Sequence, residues 1–457
     1  MRHMVSSLVL GLGLILAAPA FATAPQPASY LIEINGSGSA LAGQVTAAGG
    51  TLVHLDPEIG YASAISSNPG FAVNLTQSSG VTAVSQDVLV QWVPTAQEAH
   101  LQNIGAIAGT ARSSQAGNPN PAGAKLYACQ WNLPKIDAPA AWARGNFGSA
   151  NVKVAVLDTG VDPFHIDLAG KIDTANSVSE LTPGSSPCGA TDEGTIYDYN
   201  YHGSFVTGMI TSNSLGIAAV APKANIVGVK VLNCSGSGNF ADVIAGIVYA
   251  AKLPDVAVVN MSLTSGFPRD APGGAQLIRA LDKAVNFATS RGKLVVSAAG
   301  NSATDMDHDG NFIWVPAQSG NGIGIYATNN LDHLASYSNH GLTGTWVGAP
   351  GGDLPNTVPP LPSCTRPAAE QSLVYSVCSS FSVHCSGNDQ YLRTDGTSFA
   401  TPMVAGVAAV VDAKLGGWLP PFLLKAILAG TADDLGARGP DNIFSFGRVS
   451  LGRAVSF

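Results

Sequence analysis

Five short apolar runs constrain this chain most. Val152–Leu157, Ile226–Leu232, Val256–Leu263, Leu294–Ala299 and Gly322–Ala327 are six to eight residues each and rich in Val and Ile. Runs of that length and composition read as strands buried on both faces. Helical patterns lie between them. Leu277, Leu281, Val285 and Ala288 mark one face of a helix over Ala275–Arg291, with Gly292 as its stop. Alternation of this kind implies an α/β fold, a parallel sheet with helices on both faces. Its ligand site belongs at the carboxyl ends of the strands. Asp158 and Asn301 stand at two such ends, in Val154-Ala155-Val156-Leu157-Asp158-Thr159-Gly160 and Ser297-Ala298-Ala299-Gly300-Asn301.

Two further stretches supply chemistry. Gly396-Thr397-Ser398-Phe399-Ala400-Thr401-Pro402 runs into an apolar segment, Val404 to Leu415, that reads as a buried helix. Ser398 is either a helix cap or a nucleophile beside the free N–H groups of a helix start. Pro402 is expected near that start, where a missing N–H costs least. His202-Gly203-Ser204-Phe205 opens a helix of small residues. Acid, histidine, asparagine and serine thus follow in the order 158, 202, 301, 398. This order and these blocks resemble the subtilisin family of serine endopeptidases. The resemblance implies a catalytic triad of Asp158, His202 and Ser398, with Asn301 in the oxyanion hole. It also implies a substrate cleft between Gly236-Ser237-Gly238 and Ser262-Leu263-Thr264, where a peptide adds as an extra strand. Trp314 precedes Val315-Pro316-Ala317, a segment that resembles a wall of the family's main specificity pocket; an ordinary core tryptophan is the alternative reading, and the one favoured. Two positions depart from the pattern. Phe205 replaces the second histidine of H-G-T-H, and Phe399 stands where methionine is more usual.

The first third of the chain reads differently. Met1–Ala22 has a basic start, an apolar run from Leu8 to Ala18 and a small-x-small site at Ala20-Phe21-Ala22, the pattern of a secretory signal. Secretion to the periplasm or exterior is therefore expected, with no membrane segment left once the signal is cut. Residues 23–94 read as strand, helix, two strands, helix, strand. That order resembles the family's ferredoxin-like inhibitory propeptide. Residues 95–127, rich in Ala, Gly, Ser, Asn and Pro, read as a flexible linker carrying the maturation cut. The catalytic domain is expected over 128–457.

Composition narrows the partners. A net charge of −8 without basic clusters argues against nucleic acid. Protein or peptide substrates, the chain's own propeptide and a monomeric state are expected. The six cysteines, all after the propeptide, read as disulfides in an exported chain, with fifteen pairings open. No metal is expected in the chemistry. Asp305-Met306-Asp307-His308-Asp309-Gly310 opens like a calcium loop, although Pro316 stands where an EF-hand has its glutamate. Structural calcium is therefore a candidate there. Gly236-Ser237-Gly238-Asn239-Phe240-Ala241 has dinucleotide-binding spacing, but Asp255 precedes its strand instead of ending it. The competing functional reading is a catalytically silent peptide-binding protein on the same fold. A lipase-type hydrolase lacks its G-x-S-x-G elbow at Ser398.

Overall fold

The computed structural model describes residues 27–107, 117–354, 361, 363–367 and 371–456. The expected signal segment, Met1–Ala22, lies outside them. Four strands, β1 (Ala28–Ile34), β2 (Gly50–Asp56), β3 (Tyr61–Ser66) and β4 (Val81–Gln86), pair antiparallel in the order β2-β3-β1-β4. Helices Leu41–Ala47 and Phe71–Thr76 complete the ferredoxin-like order. Side chains alternate along each strand, so one face carries Ile32, Ile34, Ala62 and Ala64 onto the helical residues Leu41, Val45, Phe71 and Leu75. The other face carries Leu31 and Tyr61 into the core of the larger domain. This small unit therefore sits on the larger domain through an apolar face of its sheet.

β5 (Leu89–Gln91) and β6 (Gln102–Ala106) follow. The larger domain adds β7 (Lys153–Asp158), β8 (Val178–Ser179), β9 (Asn225–Lys230), β10 (Ser237–Asn239), β11 (Val256–Met261) and β12 (Ser265–Pro268). Then come β13 (Leu294–Ala298), β14 (Phe312–Val315), β15 (Ile323–Thr328), β16 (Val347–Pro350), β17 (Val374–Cys378) and β18 (Gln390–Thr394). Seven of them form a parallel sheet in the order β16-β15-β13-β11-β7-β9-β8. All five expected strands lie in it.

Both faces of this sheet are covered, which explains why its strands are apolar throughout. In β7, Val154 and Val156 face one cluster, with Met403, Val404, Val407 and Val411 of helix Thr397–Lys414. Ala155 and Leu157 face the other, with Val243 and Ile247 of helix Phe240–Lys252 and Leu277 and Leu281 of helix Gly274–Ser290. Helix Thr397–Lys414 is buried from Thr397 to Asp412, so it is apolar all round. Three disulfides pair Cys129 with Cys364, Cys188 with Cys234, and Cys378 with Cys385.

The segment expected to be a structureless linker departs from that reading. β6 pairs with β18 in the antiparallel sheet β17-β18-β6. Ala99 is buried, and Leu101 packs against the core. The linker's own composition is too polar and small to order itself. The free edge of β18 supplies the missing hydrogen bonds, and that edge cannot be read from the linker's sequence.

Candidate active site

Asp158 ends β7 and is wholly buried. Its Oδ1 accepts the Thr159 N–H at 2.7 Å and lies 2.8 Å from His202 Nδ1. An ionised carboxylate only accepts, so the shared proton belongs on Nδ1 and Nε2 is left as an acceptor. His202 is the first residue of helix His202–Ile210. Gly203 makes that position accessible: a Cβ there would stand 2.1 Å from the Gly160 carbonyl oxygen and 3.1 Å from Asp158 Cβ. The His-Gly pair is thus a steric condition for bringing the helix to the strand end.

Asp198 organises the approach to His202, and no spacing in Tyr197-Asp198-Tyr199-Asn200-Tyr201 announces it. Its carboxylate accepts from Thr159 Oγ1 and from the N–H groups of Asn200, Tyr201 and Ser204. Burial pushes this carboxyl above the usual range, while those donors pull it back.

Ser398 is the second residue of its helix and only 2% exposed. Its Oγ donates to the Ser262 carbonyl at 3.0 Å. His202 Nε2 has no hydrogen-bond partner among the described residues. Asn301 follows β13, and its Oδ1 accepts both the N–H and the Oγ1 hydroxyl of Thr397, at 2.9 and 2.7 Å. That fixes the amide so that Nδ2 faces Gly396, whose Cβ position would lie 3.6 Å from it. Pro402 is not at the helix start as expected. The helix begins at Thr397, so Pro402 is inside it and leaves the Ser398 carbonyl without the donor four residues on.

Phe205 and Phe399, the two departures from the family pattern, touch each other. Their rings meet edge to face at 4.6 Å between centroids, and Phe399 lies 5.4 Å from the His202 ring. Together they form an apolar wall behind the imidazole.

The expected cleft holds the chain's own segment. β5 pairs antiparallel with β10, Gln91 opposite Ser237 and Val90 opposite Gly238. The Trp92 N–H donates to the Gly236 carbonyl at 3.1 Å, and the Thr264 N–H donates to the Trp92 carbonyl at 3.0 Å. Trp92 Nε1 donates to the Gly238 carbonyl at 2.8 Å, and the ring meets Phe240 edge-on at 5.0 Å. Gly236, Ser237, Gly238 and Thr264 therefore contact the strand. Ser262 faces Ser398, and the Leu263 side chain is buried in the core beneath. Beyond Pro94 the backbone is coiled, with the Ala99 N–H donating to Thr95 and the Leu101 N–H to Ala96. Thr95 donates from its N–H and hydroxyl to Glu98, and His100 Nδ1 lies 2.9 Å from Asp395. No motif in the sequence marks Trp92 or this turn.

No calcium site is shown at the candidate loop. Asp305 accepts from the Asp307 N–H, His308 and Asn442. Asp307 accepts from the N–H groups of Leu342 and Thr343 and from Asn442. Asp309 accepts from Trp314 Nε1. Asp305 and Asp307 share the Asn442 amide as a donor, and no group of three acidic, histidine or cysteine side chains suited to a metal occurs among the described residues.

The model of the subtilase family matches residues 149–447. The chain is a subtilase. Subtilisin Savinase from Lederbergia lenta is 34% identical over 327 residues, 71% of this chain and 98% of the relative. Thermitase from Thermoactinomyces vulgaris is 31% identical over 328 residues, 72% of this chain and 96% of the relative. The structure of an epidermin leader peptide processing serine protease from Staphylococcus aureus superposes with a TM-score of 0.75 at 21% identity, over 94% of this chain and 98% of the other. This subtilase is a serine-type endopeptidase, and its family requires no cofactor for catalysis. No described helix is long and apolar enough to cross a membrane.

Proposed function

We propose that this chain is a secreted endopeptidase precursor in which Ser398 is the nucleophile, His202 the base and Asp158 its orienting acid. The observation that carries the reading is the buried Asp158–His202 contact of 2.8 Å, which leaves Nε2 as a free acceptor beside the Ser398 helix start. In the reaction the Ser398 hydroxyl leaves the Ser262 carbonyl for that nitrogen; the Phe399 ring, on the next residue, lies 5.4 Å from the imidazole. Catalytic hydrogen bonds are commonly looser before substrate binds. Nε2 takes the hydroxyl proton as Oγ bonds to the peptide carbonyl carbon. The carbonyl oxygen becomes an oxyanion held by Asn301 Nδ2 and the Ser398 N–H. The imidazolium then gives its proton to the leaving amine as the C–N bond breaks, and water repeats the sequence to release the acid.

Residues 23–94 act as the inhibitory propeptide, with the cut that frees the enzyme in residues 95–127. Support comes from β5 lying as an added strand in the cleft and from the coil at Thr95–Leu101, which is not the extended backbone a protease cleaves. An apolar N-terminal run with a small-x-small cleavage pattern supports secretion.

A fluorophosphonate probe should label Ser398 in the matured protein. Ser398→Ala should fold, keep residues 23–94 attached and take no label. Normal removal of residues 23–94 from that variant, in a host without other proteases, would overturn self-maturation. Label on a residue other than Ser398 would overturn the nucleophile assignment.

A further inference from the structure

Trp314, in β14, lines the same cavity as Ser398 and Asn301. β14 pairs with β12 so that Trp314 lies opposite Gly266, two residues beyond Thr264 of the cleft wall. A Cβ on Gly266 would meet three atoms of the indole at 3.0 to 3.2 Å. A Cβ on Gly300, the residue before Asn301, would meet the same ring at 3.1 Å. The indole is therefore held between the two walls that flank the reacting serine, one carrying Ser262 and the other Asn301. It is fixed from three sides: Nε1 donates to Asp309, the backbone N–H donates to Gln318 Oε1 at 2.8 Å, and the chain pairs with β12. Ser398, Asn301, Thr264, Gly266 and Trp314 line one open cavity of about 450 Å³.

We infer that Trp314 is a specificity-determining residue that restricts cleavage to bonds following Gly, Ala or Ser. The inference rests on the assignment of Ser398 and Asn301 above. An acyl carbon bonded to Ser398 Oγ, with its oxygen toward Asn301, projects its own side chain between the Ser262–Gly266 and Ala299–Asn301 walls. That slot already holds a nine-atom ring system. Glycine at 266 gives the indole room, whereas glycine at 300 is required first by the Asn339 amide, 2.3 Å from a Cβ there. A residue of Ala size needs no movement of the ring, whereas Phe or Leu requires the indole to leave and to break its bond to Asp309. One excess methylene in a closed apolar pocket already costs about 10–200-fold in kcat/KM.

The test is a digest of a random peptide mixture by the matured enzyme, with active sites counted by fluorophosphonate. Wild type should cut after Gly, Ala and Ser at least tenfold faster than after Phe, Leu or Tyr. Trp314→Gly should raise cleavage after Phe at least tenfold and change cleavage after Ala only a few-fold. Equal cleavage after Phe and Ala by wild type would overturn the inference, whether or not the variant folds. So would a folded, labelled Trp314→Gly enzyme with wild-type preference. Absence of label and of casein turnover in wild type would instead strike the assignment of Ser398.

Discussion

Trp92 is the anchor by which the N-terminal unit closes the cleft, and its removal has a calculable effect. The side chain is 2% exposed, packs edge-on to Phe240 and donates from Nε1 to the Gly238 carbonyl. A buried tryptophan covers about 150–250 Å², which at about 25 cal/mol per Å² is roughly 4–6 kcal/mol. The indole hydrogen bond adds about 1 kcal/mol. In a detached segment the ring is partly shielded already, so the sum is an upper bound. We therefore expect Trp92→Ala to weaken binding by about 3–5 kcal/mol, the range of a tryptophan truncation in a core. That is roughly 10²- to 10³-fold or somewhat more in the inhibition constant. Trp92→Phe should lose only the hydrogen bond and a little area, a change of about tenfold. The assay is inhibition of the matured enzyme by added residues 23–94, wild type against each variant. Circular dichroism would confirm that the segments are equally folded. A shift below tenfold for Trp92→Ala would refute the anchor and the area argument with it.

Asn301→Ala should lower kcat with little change in KM, because the amide meets charge only in the transition state. The expected loss is about 10²–10³-fold, a magnitude carried over from the asparagine donor of subtilisin and not calculated from this geometry. Steady-state kinetics decide it: an unchanged kcat removes Asn301 from the oxyanion hole. Inhibition by residues 23–94 should also weaken as pH rises. Burial pushes the Asp87 carboxyl, which accepts the N–H groups of Phe240 and Ala241, up to about 7. Burial alone would lower the His54 pKa, but Asp242, Glu180 and Asp56 outweigh it and raise it. Both groups hold their protons more tightly in the closed form, so closure is strongest in acid. It weakens from about pH 4 to 7 for Asp87 and, for His54, from its ordinary 6.5 up through its raised value. Inhibition constants measured from pH 5 to 8 should rise, and a fall across that range would contradict the sign.

The strands, the principal helices and the ferredoxin-like order of the first unit were legible because their information is local. β7 must be apolar at every position when helices cover both faces, and that pattern is written in Val152–Leu157. Asp158, Asn301, His202 and Ser398 stood out in sequence because each sits at or next to the end of such an element, within two residues of a glycine. Other features were not local. Asp198 holds the His202 loop through nearby donors on Tyr201 and Ser204 and through Thr159, and the last contact exists only once β7 and the following helix meet. Phe205 and Phe399 look like separate departures in sequence and become one contact across 194 positions when two helices pack. Alternate acids in sequence propose a calcium loop, and only the fold shows that Asn442, Leu342 and Thr343 donate to two of them. The linker gained a strand because β18 offered it an edge. Sequence alone determined most of the elements that form and which residue types stand at their ends. Tertiary structure decided which donors, rings and edges those ends meet, because hydrogen bonds and packing across tens to hundreds of residues depend on where the chain returns.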